Sequence, residues 1–586
     1  MEDVASSMTR RRLLAGASGL GASMLAGCSE RLWSRAENSG PDRIELTIKT
    51  VPTDDDAIAA KIMSRLRENF REAGIDTTHE PMPEPELYRD VLIEGDYDVF
   101  VLRHPGFDEY DAIRGLLHSQ FVNERGWQNP FHFTNVTADN YLQSQRTSTG
   151  SERRDHLSEL FDFLEETAPY TVVAYPHQIG GVRRSLDAPR PPRRPLEYID
   201  LLSREPADGS RDEPLTVGVY GEGLTERLNP LVVDRNRIHG VLELLYDPLA
   251  RRTDEYRGGA DEYVPWLAED IEWEDSGRLR ATITLRPDVA WHDGHSLDAD
   301  DVAFTLRFLG DTSLGELEAG VPAPRYRGRQ TLVENVAVLD ERTVQLSFGS
   351  TARPAAARVL SIPLLPEHVW EPRSAVVAER RTEALVTNNE APIGSGLFRF
   401  GDATATELVL EPFDDHVFRD RVAERPDILD GFSQFSGLRY RVDPNAGAMI
   451  DALRDGEIDI TGSDVPPEMT DRIREVPGTS TITGPTSSFY MIGYNLHHPV
   501  LGNPHFRRIL SRLIDREHVV SEFFGGFADP AATRNSLVGV RDDQWERAVD
   551  SRIATFPGSD GEIDTERVRT LFEEAGYRYD EDALLH

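Results

Sequence analysis

Lysine is almost missing from this chain: Lys49 and Lys61 are the only two, so nearly all of its 64 basic residues are arginine. They stand against 102 acidic residues, for a formal net charge of -38 over 586 residues. A diffuse acidic excess of that size repels phosphate backbones and anionic bilayer faces, so nucleic acid is excluded as an expected partner. It matches a solvated surface of the halophile type, whose self-repulsion concentrated salt screens; an acidic docking surface is the alternative. Cys28 is the only cysteine, which excludes an intrachain disulfide and thiol-ligated metal clusters. No Gly-x-x-x-x-Gly-Lys loop is present to cradle a nucleotide phosphate. Gly394-Ser395-Gly396 lacks the Gly-x-Ser-x-Gly spacing of a nucleophile elbow. His292-Asp293-Gly294-His295 puts two histidines and an aspartate in one turn, with no further ligand at a defined spacing, so no metal and no cofactor are expected.

The apolar run from Leu13 to Gly27 is shorter than the ~20 residues of a membrane span and reads instead as an export signal. Arg10 and Arg11 ahead of it resemble a twin-arginine signal, and Leu25-Ala26-Gly27-Cys28 resembles a lipobox. Residues 1–27 are therefore expected to be an export signal, Cys28 a lipidated residue, and 28–42 a polar tether. The mature protein would then sit on the outer face of the cell membrane, anchored by lipid.

Beyond the tether the chain is long enough for two cores, since single cores stop growing at roughly 250 to 300 residues. Ile44 to Ile48 alternates as a strand, and Ile58, Ile62, Leu66 and Phe70 form a helical stripe that ends at Gly74. Gly95-Asp96-Tyr97-Asp98 enters a second strand, and Ala168-Pro169-Tyr170 a third, so 43–190 reads as α/β. Pro191 to Ser210, rich in proline, arginine and aspartate, reads as a joining segment, although Leu196 to Leu202 inside it is apolar. Leu279 to Leu285 alternates again, Arg286-Pro287 closes that strand, and Asp298, with Asp301 three residues on, is placed to cap a helix from Ala299.

The stretch around that cap resembles a signature of the family 5 extracellular solute-binding proteins, the dipeptide- and oligopeptide-binding proteins of ABC importers. It carries Leu285-Arg286, Trp291-His292-Asp293-Gly294 and Leu297-Asp298-Ala299-Asp300-Asp301-Val302. Further segments resemble the family in family order: Leu244-Leu245-Tyr246-Asp247-Pro248-Leu249, Leu365-Pro366-Glu367-His368, Pro392 to Phe400, Gly493-Tyr494-Asn495 and Glu573-Glu574-Ala575-Gly576-Tyr577. The segments from Ile44 to Tyr175 resemble the family's carboxy-terminal part, yet here they come first. A circular permutation accounts for this order; a truncated family protein behind an unrelated domain is the rival.

The resemblance implies a two-lobed α/β periplasmic-binding-protein fold of type II with permuted segment order. The expected parts are 43–190 and 485–586 as one lobe, 215–484 as the other, and 191–214 as the linker joining the family's natural ends. It also implies a non-enzymatic receptor that captures a small organic ligand, oligopeptide first, and delivers it to the transmembrane subunits of an ABC permease. A sensory or scaffold binding protein and a secreted hydrolase are the alternatives. In peptide-binding members an aspartate in the loop after Gly-Asp-Tyr-Asp holds the ligand's ammonium; the matching loop here offers Arg103, His104, Asp108 and Asp111. Arg103 and His104 would face an anionic or polar ligand, while Asp108 and Asp111 equally fit a helix cap. Strand ends elsewhere nominate Tyr220, Glu222, Ser395, Tyr494 and Asn495, whereas Trp291 reads as packing.

Overall fold

The computed structural model describes residues 43–586 except 108, 125, 208, 210–211, 234–237, 253–262, 379, 421–424, 433–434 and 539–552. Cys28, Arg10, Arg11, the two amino-terminal segments and Asp108 thus lie outside the described residues.

The architecture follows from the alternation of apolar residues. Leu46 and Ile48 point inward from strand β1 (Glu45–Thr50), and helix α1 (Ala57–Glu72) lays Ile62, Leu66 and Phe70, each 0% exposed, against it. Asp56 caps α1 by accepting from the amides of Ile58 and Ala59, and Gly74 ends it at φ +84°. Strand β2 (Asp76–Pro81) pairs parallel with β1, and β3 (Val99–His104) lies on its other side. Helices α2 (Val136–Thr147) and α3 (Gly150–Thr167) lead to the long strand β4 (Tyr170–Arg183).

The stretch 191–214 is more than a linker. Helix α4 (Pro195–Ser203) occupies it and buries Leu196, Tyr198, Ile199, Leu201 and Leu202, because an apolar run of that length is unstable as solvated coil. After β5 (Leu215–Tyr220), strands β6 (Ala268–Glu274) and β7 (Arg280–Leu285) form a four-stranded antiparallel sheet with β8 (Val333–Asp340) and β9 (Thr343–Phe348), in the order β8-β9-β7-β6. Asp298 accepts from the amides of Asp300 and Asp301 at the start of α5 (Ala299–Gly310), as its spacing predicts. Trp291 is 0% exposed and its indole donates to Asp301 at 3.0 Å, which makes it a packing residue.

Strands β10 (Phe398–Thr404), β11 (Glu407–Pro412), β12 (Leu438–Asp443), β13 (Ile460–Thr461), β14 (Thr479–Pro485) and β15 (Phe489–Tyr494), with a short strand at Ala528–Pro530 beside β4, join β1 to β5 in a 12-stranded mixed sheet. Its main path runs β10-β11-β12-β5-β13-β4-β15-β3-β1-β2. Helix α6 (Ala446–Asp455) covers β5 and β13.

The result is a two-lobed α/β protein with two large hydrophobic cores. The first draws on residues from Val182 to Ile482, and the second on Ile44 to Tyr175 together with Phe489 to Leu584. Strands β4 and β14 run antiparallel between them, in register from Thr479 opposite Arg183 to Pro485 opposite His177. The first half of β4 instead pairs with β15, so this strand belongs to both lobes. Helix α7 (Thr565–Glu574) and a hairpin of β16 (Arg578–Asp580) and β17 (Ala583–Leu585) pack into the second core beside β1. The Ile44 amide donates to Leu584 O at 3.1 Å, and the Leu584 amide to Gly74 O at 2.8 Å. A Cβ on Gly74 would stand 2.4 Å from Asp582 O, so the glycine both turns the chain and admits the hairpin.

Candidate ligand cleft

The interlobe region holds a cavity of about 550 Å³ and an adjoining one of about 330 Å³, which share Pro105, Arg193, His239, Glu243, Arg329 and Ser488. Both open where the chain crosses between cores, and 550 Å³ lies within the range of about 300 to 1,000 Å³ common for small-molecule sites.

The wall from the second core is the loop after β3. His104 is 2% exposed and wedged among Phe107, Trp127 and Phe489, with ring centroids 4.6, 4.5 and 4.7 Å away. Its Nδ1 accepts from the Gly106 amide at 2.9 Å, which closes a tight turn. Gly106, at φ +97°, presses on Ser487, where a Cβ would stand 2.1 Å from the carbonyl oxygen. The turn thereby sets Arg103 against the strand crossing: its Nε and Nη2 donate to Ser488 Oγ at 3.0 and 2.9 Å.

Arg103 also reaches Asp464, on the first lobe, at 3.4 Å, and Arg193 meets the same carboxylate at 2.5 Å. Tyr220, half-buried at the end of β5, donates its hydroxyl to Asp464 O at 2.8 Å. Burial pushes that phenol up to about 12, helped by the nearby Asp464 charge, so it remains a donor.

A second ion cluster ties the lobes together. Asp111, 1% exposed, accepts from Arg146 Nε at 2.7 Å, Gln145 Nε2 at 2.9 Å and Arg358 Nη1 at 3.0 Å. Glu109 pairs with Arg153 at 2.9 Å and with Arg358 at 3.0 Å. Arg358 comes from the first lobe and the other four ionic partners from the second. Burial opposes the Asp111 charge, but Arg146 and Arg358 hold its carboxyl well below the usual carboxylate range. Arg327 and Glu124 form a third cross-lobe pair at 3.3 Å.

The residues nominated from sequence divide accordingly. Arg103 and His104 line the larger cavity. Tyr220 stands behind it through Asp464, Glu222 is exposed, and Asp111 is locked in the ion cluster away from the lining. Three lie outside the described lining of both cavities. Ser395 is 1% exposed and accepts from the Asp247 amide at 3.2 Å, with Gly394 and Gly396 pressed onto the Leu244 and Leu245 carbonyls. Tyr494 is 0% exposed in the second core and shares a 2.8 Å hydrogen bond with Thr171. Asn495 donates to Gly95 O at 3.2 Å and Tyr97 O at 2.7 Å, holding the turn into β3.

The lining contributed by Arg193, Arg325, Arg327, Arg329, Phe107 and Trp127 was missed. Arg193 carried one signal, an arginine and proline cluster ahead of an apolar run; nothing local marks the others. Outside the cleft, His368 Nε2 meets Asp293 Oδ2 at 2.7 Å and His295 Nδ1 meets Asp293 Oδ1 at 3.2 Å. His368 thus adds, from 75 residues away, the third donor that the turn lacks, and one donor atom from each of the three exposed residues lies within 4.8 Å of the others. Such a set has the donors for a divalent cation. Among the described residues no helix is long and apolar enough to cross a membrane.

The family profile described as bacterial extracellular solute-binding proteins, family 5 Middle, matches residues 262–585. A Brucella ovis protein, named provisionally as an ABC transporter peptide-binding protein, is 26% identical over 352 residues, 57% of this chain and 58% of its own. The oligopeptide-binding protein AppA of Bacillus subtilis is 24% identical over 317 residues, 53% of this chain and 51% of its own. The chain therefore spans somewhat over half the length of these relatives. The structure of Bacillus subtilis AppA with a nonapeptide superposes with a TM-score of 0.43 at 20% identity, over 63% of this chain and 66% of that one.

Proposed function

Because this chain belongs to the bacterial extracellular solute-binding proteins of family 5, we propose that it is the exported solute receptor of an ABC importer, closing its two lobes over a small organic ligand, a short peptide first among them. The observation that carries this reading is the 550 Å³ cavity between two cores joined by β4 and β14. Two strands leave a hinge, and ligand contacts made with both walls at once favour closure. The captured ligand would pass to permease subunits, the protein being held at the membrane through lipid on Cys28. Calorimetric titration against short peptides, sugars and metal chelates, with small-angle scattering of the free and loaded protein, tests it. Saturable binding accompanied by a smaller radius of gyration is expected; no binding by any class would overturn the reading. Labelling with a radioactive fatty acid, lost in Cys28→Ser, tests the anchor.

The segment order is read as a circular permutation, with 43–190 the counterpart of the family's carboxy-terminal part and 215–586 its beginning and middle. Support comes from the pairing of Ile44 with Leu584 and from Tyr579, whose hydroxyl donates to Ala73 O at 3.0 Å, so β1 and α1 continue the structure that α7 begins. Permutation is tolerated where the joined ends lie close together. A chain rebuilt with 43–190 placed after 586 is expected to fold with the same ligand preference; failure to fold with linkers of several lengths would sink the idea. The acidic surface is read as an adaptation to concentrated salt, so the melting temperature is expected to rise with added KCl; a flat response would leave the surface for docking.

A further inference from the structure

The connection between β7 and α5 carries a second group of donor side chains, in the first lobe and apart from the cleft. Asp293 and His295 lie in its turn, His368 reaches them from the short helix Glu367–Trp370, and none of the three lines either cavity. His368 Nε2 stands 2.7 Å from Asp293 Oδ2, and His295 Nδ1 stands 3.2 Å from Asp293 Oδ1. The two imidazole rings stack with centroids 4.2 Å apart, each turning a nitrogen to the same carboxylate. Bonds of about 2.0 to 2.2 Å to a tetrahedral ion set neighbouring donors about 3.3 to 3.6 Å apart. Both spacings fall short of that by less than about an ångström, and all three donor atoms lie within 4.8 Å of one another, so small side-chain rotations admit an ion.

The fold holds the two contributing segments in place before any ion arrives. Asp301, 6% exposed, accepts from the Trp291 indole at 3.0 Å and from the Glu367 amide at 2.9 Å, so one buried carboxylate ties the turn to the start of the helix that carries His368. Trp291 and Trp370, each 0% exposed, anchor those segments in the first core. Across the turn the Trp291 amide donates to His295 O at 2.8 Å, and the His292 amide donates to Gly394 O at 2.8 Å. Ligands on backbones fixed in this way lose little freedom on binding, which is what preorganisation contributes to affinity. His292 is not a fourth ligand: its Nδ1 accepts from the Gly394 amide at 3.1 Å, and its Nε2 faces Gly396 O at 3.1 Å.

We propose that Asp293, His295 and His368 bind a divalent cation of the zinc class, which staples the turn before α5 to the helix at His368. Two imidazole nitrogens and one carboxylate oxygen suit Zn²⁺, Ni²⁺ or Cu²⁺, whereas Mg²⁺ and Ca²⁺ favour shells made of oxygen alone. A histidine nitrogen that donates to Asp293 gives up its proton when it takes the ion: the proton moves to the other ring nitrogen or, from an imidazolium, to the buffer. With 64%, 33% and 25% of the side-chain surface open at His295, His368 and Asp293, water fills the remaining coordination positions.

The test is calorimetric titration of the full-length chain with Zn²⁺ in concentrated potassium nitrate, a salt without chloride to compete for the metal, and with Mg²⁺ in excess. One equivalent of Zn²⁺ is expected to bind, and the melting temperature to rise with its concentration. His295→Ala and His368→Ala, both at exposed positions, are each expected to weaken Zn²⁺ at least about tenfold, no less than the loss of an outer-shell partner costs, and to remove the rise while leaving the metal-free melting temperature unchanged. His497→Ala, an exposed histidine of the second lobe, is expected to change neither. Zn²⁺ affinity retained by both cluster variants, or no binding of Zn²⁺ over the Mg²⁺ background, would overturn the site; neither result bears on the ligand cleft.

Discussion

The two lobes use the same kinds of element but close their cores by opposite routes through the chain. The first core is gathered from one continuous stretch, Val182 to Ile482. The second is completed only when β15 inserts between β3 and β4 and when α7 and its hairpin reach β1, pairing Phe489 with His104 and Ile44 with Leu584. Loop closure of that length costs more chain entropy before any contact forms, so the second core should be the more cooperative and the more readily lost. The ion clusters differ in the same way. Asp247, 0% exposed, serves the first core internally, with Arg251 at 2.6 Å and His416 at 2.8 Å, whereas Asp111 holds residues of both lobes.

The contrast is open to breakage at several levels. Ile492→Asp puts a carboxylate at a 0% exposed position between β3 and β4, and the cost of several kcal/mol should unfold the second core while limited proteolysis still recovers a fragment of the first. Simultaneous loss of both would show one cooperative unit instead. Asp111→Ala leaves Arg146 and Arg358 facing each other and should cost about 3 to 5 kcal/mol. Because the folded carboxyl is held below its ordinary value, its contribution is complete above the unfolded pKa of about 4 and is lost as pH falls through the lowered one. Acid melts of the wild type should therefore show a loss of stability that Asp111→Ala lacks. Gly74→Ala, at φ +84° against Asp582 O, should cost about 1 to 3 kcal/mol and raise amide exchange at Ile44 first. The smallest effect expected is Asp298→Ala, about 1 kcal/mol at the cap of α5, confined to the first lobe and readable from a denaturant midpoint.

What was legible in the sequence was local. The alternation around Ile44, the stripe Ile62-Leu66-Phe70, the glycine stop at Gly74 and the cap at Asp298 each follow from neighbouring residues, and each appears in the fold. Arg103 and His104, at the end of a strand, line the larger cavity. Ser395, Tyr494 and Asn495 satisfy the same rule, yet the first two are buried and the third holds a turn, since a strand end shows the axis of the chain but not which side another lobe will cover. The apolar run Leu196 to Leu202 was visible, but its place under the first core was not.

Composition and periodicity alone determine that this is a large acidic α/β chain with two cores, because burial needs and hydrogen-bonding periods act over a few residues at a time. Only the tertiary structure decides that Arg103, Arg193, Arg329 and Arg358, spread across 255 residue positions, line one cavity, and that Asp464 is shared by two of them. An electrostatic site depends on distance through space, falling off within a few ångströms of screening solvent, and distance along the chain carries no record of it.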